Sequence, residues 1–159
     1  MNGAHLHLVV THLPVLGLLF GTVLLVYAWW RGSEEVRRLA LAFVAVAGLL
    51  AIPAYFSGES AEDVVEKLPG ISGWLIHEHE EAAEGAAVAS VATAVLAAGL
   101  LAFGLRRGAT PRWGIAGIAF GGVISSIWLG VAAYRGGSIR HPEIEGASPA
   151  AAGAVSDHD

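Results

Sequence analysis

Six of the chain's seven histidines, His5, His7, His12, His77, His79 and His141, stand at the ends of long apolar runs. Carboxylates crowd near them at Glu59, Glu78, Glu80, Glu81, Glu84 and Glu143. Ionisable side chains are costly in hydrocarbon, so in a greasy sequence they mark either a site or the water-facing interface. Imidazole and carboxylate together form the ligand set of zinc, copper, iron or manganese. The chain has no cysteine, which removes disulfides, thiolate metal sites, iron–sulfur clusters and covalently attached haem. Any bound metal must use His, Glu, Asp or backbone oxygen.

The elements that position these residues follow from composition. With 55% apolar and 14% charged residues, the chain is too greasy for a soluble domain of this size. The 21 glycines and many alanines suit helices that approach backbone to backbone in lipid. We therefore expect an all-α fold, an integral membrane four-helix bundle over 1–145, with helices at about 8–30, 39–56, 75–105 and 113–134, each able to span a core of about 30 Å. Met1 to His7 carries no basic residue and the apolar run continues past Trp30, so the first helix reads as retained rather than as a cleaved signal.

Orientation follows from the basic residues, which favour the cytoplasmic ends of helices. Arg31, Arg37, Arg38, Arg106, Arg107 and Arg112 occupy the first and third connections, against Lys67, Arg135 and Arg140 opposite. Both termini and the middle connection are then extracytoplasmic. In the first turn Ser33 reads as an N-cap and Glu34 as an i,i+4 partner of Arg38. In the middle connection, Ser60 to Asp63 reads as a capping signal for a short amphipathic helix over 61–68, with Val64, Val65 and Leu68 against the bilayer. Residues 146–159 lack periodicity and read as a disordered tail. There is no basic patch, so nucleic acid is not an expected partner.

This topology brings the histidines and their carboxylates to the outer face. His12 sits about one turn inside its apolar run, with Pro14 leaving the Val10 carbonyl without its helical donor; His12 or Thr11 can serve that kinked backbone instead. His5 shares the face of His12, while His7 points elsewhere, and both read as solvated. His77 and Glu81 are i,i+4 neighbours, whereas His79 continues into Ala82, Ala83 and Ala86 and reads as the inward histidine. His141 follows Gly136-Gly137-Ser138-Ile139-Arg140, a stretch flexible enough to fold back as a flap, and Pro142 holds it extended.

Two cofactor classes fit. His12 and His79 differ in depth by on the order of 10 Å, so a small zinc, copper or iron ion is more comfortable between His79, His141 and Glu59, Glu80 or Glu143, with His12 outside the coordination sphere. A b-type haem fits two histidines of different helices, with Arg140 near its propionates. No Gly-x-Ser-x-Gly elbow, His-Glu-x-x-His motif or phosphate loop is present, and the membrane midplane carries no charge, so intrinsic hydrolysis and transport have no support. Two functions lead: a noncatalytic protein binding a transition metal or haem as a redox accessory, or a structural subunit of a membrane complex whose histidines are interfacial; an intrinsic enzyme is the remaining alternative. The partners are accordingly the lipid bilayer, subunits of a membrane redox complex, or further copies of this chain.

The strings His5-Leu6-His7 with Thr11-His12-Leu13-Pro14, Ile52 to Glu59, His79-Glu80-Glu81-Ala82-Ala83, and Gly136 to Ile144 resemble the bacterial four-helix membrane proteins grouped as domain of unknown function 2231. The resemblance spans nearly the whole chain apart from the tail. It implies a multi-pass protein of the bacterial inner membrane and singles out His12, Glu59, His79, His141 and Glu143. Some relatives look fused to Rieske or cytochrome modules, which implies electron transfer by analogy only. Lys67 stands where many relatives carry a histidine.

Overall fold

The computed structural model describes residues 2–141; Glu143 and the tail over 146–159 lie outside the described residues. Five helices run in order: α1 (Gly3–Arg31), α2 (Glu34–Leu49), α3 (Ala51–Val65), α4 (Gly73–Arg107) and α5 (Arg112–Arg140). Helices α2 and α3 form one span, interrupted at Leu50. Pro53 supplies the reason, because it has no N–H for the Leu49 carbonyl and its ring crowds the preceding turn. Among the described residues, four spans are long and apolar enough to cross a membrane: Gly3–Arg31, Glu34–Val65, Gly73–Arg107 and Arg112–Arg140. The protein is an all-helical, multi-pass membrane protein.

Helix α1 packs against α5 and the α2/α3 span, and α4 packs against the same two. Helices α1 and α4 therefore lie on one diagonal of the bundle. The fully buried large side chains are few, chiefly Leu18, Leu25, Leu41, Val44 and Ile115. Around them the helices close on alanine and glycine. A Cβ placed on Gly48 would lie 2.6 Å from the Ser90 carbonyl oxygen, and one on Gly122 would lie 2.2 Å from the Thr22 hydroxyl. Such approaches let dispersion between backbones act where lipid offers no hydrophobic drive to association. The large apolar side chains face outward instead, as with Phe20, Phe56, Leu96 and Phe120.

Buried hydroxyls are turned back on their own helices. Thr22 donates to the Leu18 carbonyl at 2.7 Å, Ser90 to Ala86 at 2.6 Å and Ser125 to Gly121 at 2.9 Å. Thr93 then donates across to Ser125 at 3.1 Å, tying α4 to α5. These bonds satisfy polar atoms that have no water partner in hydrocarbon.

A polar clip holds the basic end. Gly32 and Gly108, with φ of 74° and 80°, turn the chain after α1 and α4, a conformation that glycine adopts without steric cost. Ser33 caps α2 as predicted, accepting the Val36 N–H. The Glu34 carboxylate accepts the Thr110 hydroxyl at 2.6 Å and the Thr110 N–H at 3.1 Å, and pairs with Arg38 at 3.1 Å. Arg38 also donates to the Gly108 carbonyl and Arg37 to that of Thr110. Arg112 donates to the Trp29 carbonyl and stacks over the Trp29 ring at 5.2 Å.

At the opposite end two expectations change. The helix expected over 61–68 is not separate: α3 runs unbroken through Ser57 and Ser60 to Val65, because nothing from Ala54 to Val65 removes a helical hydrogen bond. The flap expected before His141 is helical to Arg140. There Arg135 pairs with the Glu78 carboxylate at 2.8 Å and donates to its carbonyl at 2.9 Å, and Ser138 donates to the Tyr134 carbonyl. These bonds hold the final turns of α5 against the start of α4 despite Gly136 and Gly137.

The clip predicts that Glu34→Ala lowers stability by about 1–3 kcal/mol, since it leaves the Thr110 donors and Arg38 without their acceptor; thermal unfolding followed by circular dichroism in detergent measures this. By the same assay Gly48→Ala costs about 1–3 kcal/mol through overpacking against α4. Gly99→Ala, where an added Cβ meets open space, leaves stability unchanged or slightly raised.

Candidate functional site

The histidine end is built on the α1–α4 diagonal. His7 lies on the stripe of α1 that continues through Pro14, Gly21 and Ala28, all buried. His79 begins the corresponding stripe of α4, followed by Ala82, Ala86, Ser90, Thr93 and Ala97. Seven-residue steps keep each stripe on one side of its helix. The two imidazoles are thereby aimed inward from opposite corners and meet, with ring centroids 6.2 Å apart and planes at 85°.

Each ring is anchored by one of the other two spans. Nδ1 of His79 donates to the Ala132 carbonyl of α5 at 2.9 Å. Gly136, one turn further, lies flat against the same ring: a Cβ there would be 3.0 Å from Cε1. Nδ1 of His7 is 2.8 Å from the Ser57 hydroxyl of α3, and that hydroxyl donates to the Ala54 carbonyl at 2.7 Å. A hydroxyl carries one proton, so Ser57 accepts from His7 rather than donating to it. Both rings therefore donate through Nδ1, and in the neutral form of either ring the lone pair lies on Nε2. An imidazole whose far N–H is given to a carbonyl or hydroxyl is the arrangement that orients a histidine as a metal ligand.

The other predicted residues are distributed around this pair. His12 is exposed on α1, its Nδ1 donating to the Leu8 carbonyl of the same helix. Thr11 donates to that carbonyl as well, so both serve Leu8 and not the Val10 carbonyl freed by Pro14. Glu59, Glu80, Arg140 and His141 are exposed. Glu80 lies 4.0 Å from His77 and contacts Glu62 of α3, in an open cleft of about 280 Å³ that Glu66 also lines. His77 pairs with Glu81 at 3.5 Å. His141 ends α5, its N–H donating to the Gly137 carbonyl. Among the described residues no group of three or more His, Asp or Glu gathers to hold a metal ion.

His7, expected to be solvated, is instead half-buried and is the direct neighbour of His79. The stripe on α1 contains the signal: counting by sevens from His7 reaches Pro14, Gly21 and Ala28, whereas counting from His12 reaches the exposed Leu19 and Val26. No family model matches the chain, and neither a curated protein nor a solved structure matches it.

Loss of the Ser57 hydroxyl leaves His7 Nδ1 without its partner. Ser57→Ala is expected to lower stability by about 1 kcal/mol and to free the His7 ring, read as altered imidazole resonances of His7 by nuclear magnetic resonance with those of His12 unchanged.

Proposed function

We propose that this chain is a noncatalytic, membrane-embedded binding protein of the bacterial inner membrane. Its histidine end, taken as extracytoplasmic from the gathering of Arg31, Arg37, Arg38, Arg106, Arg107 and Arg112 at the other end, holds a transition metal or haem. One observation supports the reading: two imidazoles from diagonal helices approach to 6.2 Å between ring centroids, each anchored through Nδ1 by one of the other two spans. The resemblance to the domain of unknown function 2231 proteins supports the same end of the molecule and, by the company some relatives keep, a role as an accessory in electron transfer. Subunits of a membrane redox complex are then the natural partners.

A second reading is a structural subunit without a cofactor. The outward glycines Gly99, Gly117 and Gly130, each with open space where a side chain would be, favour it, because such positions admit a neighbouring helix at close range.

Detergent-purified protein from its native membrane, examined by oxidised and reduced ultraviolet-visible spectra with elemental analysis of the same sample, separates the two. The binding reading expects a stoichiometric transition metal, or a Soret band that shifts on reduction, lost in His7→Ala and in His79→Ala but kept in His12→Ala. A colourless, metal-free sample that stays so after reconstitution overturns it in favour of the structural subunit.

A further inference from the structure

A second concave feature lies away from the histidine pair, on the outer side of the α4–α5 contact. It is an open groove of about 500 Å³, lined by Glu81, Glu84, Gly85, Val88 and Ala89 of α4 and by Trp128 of α5. We propose that this groove seats an amine-headed phospholipid of the leaflet at the histidine end, its ammonium held between the Glu84 carboxylate and the Trp128 indole.

Glycine makes the groove. A Cβ on Gly85 would lie 3.1 Å from Cε3 and Cζ3 of Trp128, so the indole lies against the α4 backbone only because that position has no side chain. The ring is not hidden by this contact: Trp128 remains 43% exposed, and Val88 beside it 65%. An exposed indole attracts ammonium groups to its face, and Val88 offers an acyl chain an apolar surface one turn below Glu84.

Charge selects the headgroup. Glu81 and Glu84 are both exposed on this groove. The cations of this end are turned elsewhere, Arg135 to Glu78 and His77 to Glu81, and among the described residues no cationic side chain pairs with Glu84. The groove therefore complements a cation and repels an anionic headgroup. A primary ammonium also donates N–H bonds to a carboxylate, which a trimethylated one does not.

Depth selects a lipid over a soluble amine. Arg106 and Arg112 mark the opposite membrane surface. The rise from Arg106 to Glu84 along α4 is about 33 Å, and that from Arg112 to Trp128 along α5 about 24 Å. Against a hydrocarbon core of about 30 Å, the carboxylate stands at headgroup level and the indole just inside the boundary. Ammonium and upper acyl chain follow one another in that order in a phospholipid.

The test uses the full chain in detergent, freed of native lipid and mixed in separate samples with phosphatidylethanolamine, phosphatidylcholine or phosphatidylglycerol of identical acyl chains. Native mass spectrometry counts the lipids retained on each chain. We expect one retained phosphatidylethanolamine, bound about tenfold more tightly than either of the others. Glu84→Gln and Trp128→Leu should each weaken that binding about tenfold, with Glu35→Gln at the basic end unchanged and all three variants of native helicity. O-Phosphoethanolamine, which has the headgroup without acyl chains, should not displace the lipid at equal concentration; displacement by it makes the groove a site for a soluble amine and overturns the lipid assignment. Retention of no lipid, equal retention of all three, or retention indifferent to Glu84→Gln overturns the proposal.

Discussion

In hydrocarbon a helix has no water to satisfy its polar atoms and gains nothing by hiding leucine from lipid, so association rests on how closely backbones can approach. That constraint governs this molecule. Gly48 under the Ser90 carbonyl, Gly122 against Thr22 and Gly21 against Val44 set the distances between spans, and the hydroxyls of Thr22, Ser90 and Ser125 are folded onto carbonyls of their own helices. A bundle closed on alanine and glycine is narrow across its diagonals. Only in such a bundle can one imidazole from α1 and one from α4 reach each other over the central axis.

The two ends are held differently, and the difference follows from what each must do. At the basic end one carboxylate, Glu34, collects donors from Thr110 and Arg38, joining the turn after α1 to the turn after α4. Arginine surrounds it, and the buried Nε of Arg37 is left without a hydrogen-bond partner among the described residues. At the histidine end the ion pair Arg135–Glu78 performs the joining of α4 to α5 from the side. The axis is then left to two imidazoles, each of which uses Nδ1 for architecture.

The spans were legible in the sequence because apolar length and the flanking arginines are properties of composition, which helix packing does not alter. The capping of α2 by Ser33 and the Glu34–Arg38 pair were legible because they are local. What was missed depends on facts beyond the apolar run. Helices α1, α4 and α5 continue past their hydrophobic segments because Asn2, Arg135 and Ser138 supply hydrogen bonds there, and hydropathy does not register such bonds. The interruption at Leu50 was written in Pro53 but hidden inside an apolar stretch. His12 drew attention by its depth along α1, yet rotation about the helix decides what a side chain faces. Proline and glycine at seven-residue steps from His7 mark the inward stripe; depth alone marks none.

The histidine pair is tied to the fold through all four spans. His7 comes from α1 and is held by Ser57 of α3; His79 comes from α4 and is held by Ala132 of α5. Every span thus contributes either a ring or the atom that orients it, and separation of any one of them dissolves the arrangement. A ligand that binds such a site binds only the assembled bundle, so its binding free energy adds to the stability of the assembly, by RT ln(1 + [L]/Kd) for a single site. The converse also holds. Because the rings are oriented by their anchors, little conformational freedom would remain to be lost on binding anything there. Four spans packed on glycine are therefore the means by which two imidazoles from opposite corners are held in fixed orientation.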